Sequence, residues 1–298
     1  MKKIIVSKKY NNKKIINMLL SELSTINTNS LYKLLRKKDI KVNGKRISEN
    51  INVFENDVVE IYMPEFNTSI PIVFEDENII VVNKPIQIEV TGPNSLTELL
   101  SNLLGYEVFP CHRLDRNTCG IVLYAKNKKA LEILLEKFKN QEIEKHYEAT
   151  CWGIFNKKSD ILTAYLFKDQ KKATVYISDV PKKGYQKIVT EYKVVSENKD
   201  DNTSIIDVNL HTGRTHQIRA HFAYIGHPVI GDGKYGINEI NKKFNKKYQM
   251  LQSKSIKFIF KTDSDILNYL NGKKISLWYK LIFHFIHLFR WLYLFPLR

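Results

Sequence analysis

Residues 112–120 read His112-Arg113-Leu114-Asp115-Arg116-Asn117-Thr118-Cys119-Gly120, and the apolar run Ile121-Val122-Leu123-Tyr124-Ala125 follows at once. A polar loop that feeds directly into a continuous apolar segment predicts a buried strand with functional groups at its mouth. Asp115 sits between two arginines. An aspartate beside a cation is held roughly 1–3 units below its usual pKa of about 3.9, stays ionised at neutral pH, and can act as nucleophile or base. A surface loop whose aspartate pairs with arginine and caps a turn has the same composition, so these nine residues alone leave both readings open.

The segments on either side of this loop define the fold class. Downstream, NKKALEILLEKFKN (127–140) has helical apolar spacing, and HYEATCWG, ILTAYLF, ATVYIS, IVTEYKVV and IIDVNL read as strands. RTHQIRAHFAYIG reads as a short helix. Upstream, IVFEDENIIVVNKP reads as strand, acidic turn and buried strand. SLTELLSNLL (95–104) opens with Ser95 and has Glu98 three residues on, the capping-box spacing. Strands dominate without regularly alternating helices, which disfavours a doubly wound parallel sheet. The expected class is α+β, with a mixed, mainly antiparallel sheet.

Residues 1–65 read as a separate small unit. Ile15, Ile16, Met18, Leu19, Leu20 and Leu23 form one helical stripe, and Leu31, Leu34 and Leu35 a second. DIKVNGKRIS follows, with Asn43-Gly44 as a tight-turn signal between two short strands, and VVEIYM (58–63) adds another. This unit carries 13 Lys and Arg against 7 acids, a net of about +6. PEFNTSIP (64–71) reads as a linker to a larger domain over 71–276.

The whole chain of 298 residues is strongly basic, with 47 Lys and Arg against 31 Asp and Glu, giving a net charge of +16. RNA, DNA and an anionic membrane surface all fit such an excess, as does the Lys-Asn-Ile bias of an AT-rich genome. Three cysteines, Cys111, Cys119 and Cys151, with no Cys-x-x-Cys pair, argue against a disulfide framework or a zinc ribbon and for a reducing cytosol. The N-terminus lacks the apolar core of a signal peptide.

HRLDRNTCG resembles the signature of the RluA family of RNA pseudouridine synthases. VVNKPIQIEV (81–90), KHYEATCWG (145–153) and LHTGRTHQIRAHFAYIGHPVIGD (210–232) resemble its other motifs, all in family order over roughly residues 71–262. The resemblance implies that Asp115 is the catalytic aspartate. By the same likeness Tyr147 contacts the target base near the proton of carbon 5, Arg219 pairs with the aspartate, and Arg113 fills the gap left by the extruded base. Leu210 is a candidate wall of the base pocket. No cofactor and no metal are implied. Two helices followed by a basic hairpin at KVNGKRI resemble the S-four-like RNA-binding domain, which makes Arg36, Lys37, Lys38, Lys41, Lys45 and Arg46 candidate RNA contacts. Large-subunit, 23S-type ribosomal RNA is the preferred substrate and tRNA the second, with no required protein partner and a cytoplasmic location. Two positions depart from the family: Cys119 stands where serine is usual, and Gln87 where glycine is frequent. Since glutamine does not freely take a positive φ, the loop at Gln87 is expected to differ.

Three patterns are set aside. Gly231-Asp232-Gly233-Lys234-Tyr235-Gly236 matches G-x-G-x-x-G but lacks the βαβ setting of a dinucleotide site. His211, His216 and His221 are spaced by five, which does not place them on one helical face. Cys119 near His112 resembles a thiol nucleophile, but adjacent Asp115 is the better candidate. The last segment, 277–298, is aromatic, apolar and basic. It reads as a final packed helix, an unselected tail or a membrane-surface contact rather than a spanning helix, because it carries interior charges.

Overall fold

The computed structural model describes residues 2–23, 28–62 and 70–277. Most of the linker expected at 64–71 and all but the first residue of the 277–298 tail lie outside them. The chain divides into two compact units, Met1–Ile70 with Ile88–Glu107, and Pro71–Gln87 with Val108–Arg298. The helix Leu96–Leu104 groups with the smaller unit, although its position in the sequence suggested the larger one. Ser95 caps it by accepting from Glu98 N at 3.3 Å, and the Glu98 carboxylate accepts from Asn94 N at 2.6 Å.

In the smaller unit, helices Ile15–Glu22 and Thr28–Arg36 precede a hairpin of Ile40–Val42 and Lys45–Ile47. Asn43 and Gly44 take φ of 49° and 78°, as the two-residue turn requires. Strand Val58–Ile61 pairs antiparallel with Ile40–Val42 on one side and with Lys2–Ile5 on the other. The helical stripes supply the core: Ile15, Met18, Leu19, Leu31 and Leu35 meet Ile40, Val59 and Ile61.

Among the described residues, the larger unit is built on an eleven-stranded sheet. Its main path runs Thr174–Ser178, Ser159–Asp169, Gln186–Asn198, Thr203–Leu210, Ile143–Trp152, Leu251–Phe258, Cys119–Ala125, Ile79–Lys84 and Ile72–Glu75. Among the described residues one pairing is parallel, Cys119–Ala125 against Leu251–Phe258, so the sheet is mixed and mainly antiparallel. Cys119–Ala125 is buried from Gly120 onwards, as its unbroken apolar run demands of a central strand. Helix Lys128–Lys139 lays Ala130 and Leu134 on this strand and its neighbours. Its first turn is capped by Asn127, which accepts from Ala130 N at 2.8 Å. Full burial of a leucine such as Leu134 stabilises the packing by roughly 1.5–3 kcal/mol.

Candidate active site

The loop carrying Asp115 is pinned on all sides. Thr118 N donates to Asp115 O at 3.0 Å, closing a turn, and Thr118 Oγ1 accepts from Gln249 Nε2 at 2.9 Å. Lys84, fully buried at the end of the Ile79–Lys84 strand, donates to the carbonyls of Pro85 at 2.9 Å and Arg116 at 3.0 Å. It thereby ties the VVNKP segment to the residue after Asp115. His112 folds back so that its Nε2 accepts from Leu123 N at 3.1 Å, and its ring lies 5.3 Å from that of Phe138. Burial, and then the nearby Lys145 charge, push the His112 pKa down to about 3, so it serves as a neutral acceptor. At the end of the motif Gly120 has a φ of 115°, and a Cβ there would overlap the Ser253 backbone of the parallel strand. Only glycine lets the two strands approach.

Gln87 overturns its expectation. It adopts the left-handed conformation, φ 69°, that a glycine would take. Its side chain donates to the Tyr248 hydroxyl at 2.7 Å and its carbonyl accepts from Arg116 Nε at 3.2 Å. These bonds offset a conformational cost of about 1–2 kcal/mol. The other departure, Cys119, is a packed thiol: burial raises its pKa, and its Sγ donates to Leu251 O at 3.9 Å.

The helix Gln217–Tyr224 brings Arg219 to Asp115. Arg219 Nη1 donates to Asp115 Oδ2 at 2.9 Å, while Nε and Nη2 donate to Asp232 at 2.6 and 2.9 Å. Burial works against the Arg219 charge, but Asp232 and then Asp115 outweigh it and raise the pKa above the ordinary arginine value. For Asp232, burial likewise works against the charge, and Arg219 prevails to hold the carboxyl low. His216 Nε2 stands 4.0 Å from Asp115 Oδ2, and its Nδ1 is 2.8 Å from the Tyr235 hydroxyl. Burial lowers its pKa, with Asp115 opposing. Gln217 uses its whole amide. Its oxygen accepts from Thr212 Oγ1 and Arg214 N, and its nitrogen donates to Val189 O and Thr190 Oγ1, all within 2.9–3.1 Å. This fixes the loop before the helix.

Tyr147 lies on the Ile143–Trp152 strand, where the register shifts between His146 and Tyr147. It is buried beside Asp115. Burial and then the Asp115 charge push its phenol well above the ordinary value, and Ser253 opposes the shift. An open cavity of about 230 Å³ is lined by Arg113, Asp115, Lys145, Tyr147, Leu210 and Arg219, among others. The four residues expected from the motifs to act on the base thus face one space, together with Leu210. Lys84, Gln217, Asp232 and the His216–Tyr235 pair were not singled out in the sequence as parts of the site. For Asp232 the available signal was an acid closing the long motif 210–232. The three evenly spaced histidines bond to three different partners: His211 to Glu191, His216 to Tyr235, and His221 to Thr190.

The six basic candidates stand together on the smaller unit. Arg36, Lys37 and Lys38 are exposed at the end of the second helix, Lys45 and Arg46 are exposed on the hairpin, and Lys41 is half-buried. Arg46 Nη1 donates to Lys38 O at 3.0 Å, and Lys41 Nζ and Arg46 Cζ lie 4.9 and 5.8 Å from the centre of the Tyr62 ring.

Residues 78–224 match the family model described as RNA pseudouridylate synthase. An uncharacterized RNA pseudouridine synthase from Mycoplasma capricolum subsp. capricolum is 31% identical, over 92% of this chain and 97% of the relative. The ribosomal large subunit pseudouridine synthase C of Haemophilus influenzae is 31% identical, over 82% of each chain. The solved structure of human RNA Pseudouridylate Synthase Domain Containing 1 shares the fold, with a TM-score of 0.58 and 22% identity over 76% of this chain and 97% of that one. The chain belongs to the RluA family of RNA pseudouridine synthases, isomerases that convert uridine to pseudouridine within RNA.

Proposed function

We propose that this enzyme isomerises a specific uridine of large-subunit ribosomal RNA, with Asp115 as its catalytic carboxylate. The observation that carries the reading is the Asp115 carboxylate, held by Arg219 at 2.9 Å in a cavity that also presents the Tyr147 ring. A base stacked in RNA must be extruded to enter such a space, at a cost of a few kcal/mol. Arg113 is exposed and lines the cavity, and in this reading it occupies the vacated stack. Asp115 then acts on the ribose, by attacking carbon 1 or by removing the proton of carbon 2, and the glycosidic bond breaks. The uracil turns and bonds through carbon 5 to carbon 1, which displaces the Asp115 carboxylate or returns its proton to carbon 2, and carbon 5 then loses its own proton. Tyr147 is a protonated phenol while Asp115 is charged. Bonding through carbon 5 sets the Asp115 carboxylate free again, so burial and that charge both hold the phenol up when the carbon 5 proton leaves. Tyr147 therefore acts there as a relay, handing its own proton to the freed Asp115 carboxylate or to water as it takes the carbon 5 proton.

The ribosomal assignment draws on the large-subunit RNA enzyme among the relatives and on the basic cluster of Arg36, Lys37, Lys38, Lys41, Lys45 and Arg46, read as an S-four-like RNA-binding surface. The test is carbodiimide-based pseudouridine sequencing of ribosomal RNA and tRNA from cells with and without the gene. A site lost from large-subunit RNA supports the reading. A site lost only from tRNA overturns the substrate while leaving the reaction intact.

A further inference from the structure

The Gly231–Gly236 turn, whose glycine pattern imitates a dinucleotide site, has a different use in this fold. Gly231 has a φ of 81°, and a Cβ there would overlap the Tyr248 carbonyl. A Cβ at Gly236 would overlap the Asp232 carbonyl. Gly236 is demanded by close packing within the turn, and Gly231 by the approach of Tyr248 to it. Gly236 N and Asn241 Nδ2 donate to Asp232 O at 3.1 and 3.0 Å, and Gly231 N donates to Asn241 Oδ1 at 2.6 Å. The turn is therefore rigid, and it presents two side chains, Asp232 and Tyr235.

Both lead back to Asp115. Asp232 is completely buried, and its Oδ1 also accepts from Lys234 N at 2.8 Å and Tyr235 N at 3.1 Å. Its two oxygens take the Nε and Nη2 edge of Arg219. A guanidinium is planar, so fixing that edge leaves Nη1 aimed in one direction, onto Asp115. The Tyr235 hydroxyl oxygen accepts from Val175 N at 2.9 Å, which leaves its own proton for His216 Nδ1 at 2.8 Å. With the Tyr235 hydroxyl as donor, the neutral imidazole has its proton on Nε2, the nitrogen that stands 4.0 Å from Asp115.

We propose that this turn is the aiming device of the catalytic centre, with Asp232 and Tyr235 as positioning residues that act through Arg219 and His216. The proposal rests on the reading of Asp115 as the catalytic carboxylate. It assigns the two side chains no contact with RNA, so their removal lowers kcat and leaves KM nearly unchanged. A misplacement of about 1 Å at a reacting group costs on the order of 10²-fold in rate, and that is the loss expected for Asp232→Asn. Tyr235→Phe lowers kcat less, because Arg219 keeps its hold on Asp115.

The experiment measures steady-state turnover on large-subunit ribosomal RNA transcribed with tritium at carbon 5 of uridine, whose release follows isomerisation. Wild type, Asp115→Asn, Asp232→Asn and Tyr235→Phe are compared after matching the folded fraction by circular dichroism and thermal melting. A fall in kcat with KM unchanged in folded Asp232→Asn, and a smaller fall in Tyr235→Phe, support the proposal. If Asp232→Asn does not fold, Tyr235→Phe decides alone by the same criterion. Wild-type kcat in the folded variants, or a loss that appears only in KM, overturns it. When that result accompanies an inactive Asp115→Asn, the catalytic reading stands and only the aiming role falls. Full turnover by Asp115→Asn removes the catalytic reading and the proposal with it.

Discussion

Arg219 Nη1 lies 2.9 Å from Asp115 Oδ2 across 104 positions of sequence, and the same guanidinium grips the fully buried carboxylate of Asp232. One cation therefore serves two acids, one of which has no access to water. Arg219→Ala leaves Asp232 charged and buried without a counter-ion, and the expected loss of stability is about 3–5 kcal/mol. Chemical denaturation reads it directly. A loss below about 1 kcal/mol would show that Asp232 does not depend on Arg219.

Gly120→Ala is expected to destabilise the enzyme by more than about 2 kcal/mol, because it adds backbone strain at positive φ to a clash with Ser253. Gly44→Ala is the comparison: it also has positive φ but meets nothing within 4 Å. Thermal melts should separate the two clearly, and equal shifts would argue against the close strand approach at Gly120.

Two histidines are held neutral by burial, His112 with a pKa of about 3 and His221 of about 4, against an unfolded value near 6.5. Both are depressed, so the unfolded chain binds more protons over the interval between. Their contribution is present above about pH 6.5 and is lost progressively as pH falls towards 4 and then 3. The melting temperature should fall over that range, and His221→Asn should flatten part of the fall. An unchanged pH profile in His221→Asn would remove that residue from the account.

Lys37, Lys38 and Lys45 are exposed, so replacing them with alanine should leave the fold intact. If they contact phosphates, each substitution lowers the slope of log affinity against log salt by roughly 0.7–0.9. Filter binding of ribosomal RNA across a salt series measures it. Identical slopes for the triple variant and wild type would show that this face does not touch RNA.

The chemistry-bearing segments were legible because their signals are local. The 112–120 loop announces itself by a carboxylate between arginines ahead of an apolar strand, and Asn43-Gly44 fixes its hairpin through two φ angles. The strand Leu251–Phe258 gave no comparable signal, because two of its buried positions are Ser253 and Ser255, which hide the apolar alternation. Lys84 resisted sequence reading for a related reason. A lysine is ordinarily exposed, and this one is buried because carbonyls 1 and 32 residues away receive its ammonium. Asp232 and Tyr235 depend on pairings made only once the helix bearing Arg219 has docked. Gln87 shows the reverse case: a local propensity argued for a different loop, and two hydrogen bonds from elsewhere in the fold overrode it.

Asp115→Asn, assayed on the RNA that loses its pseudouridine when the gene is absent, decides whether Asp115 is the catalytic carboxylate. The substitution keeps size and shape but removes the charge and the nucleophilic oxygen, and Arg219 remains neutralised by Asp232. No detectable pseudouridine is expected over many wild-type turnover times, with RNA affinity close to wild type. Pseudouridine formed at the wild-type rate by the folded variant would contradict that role.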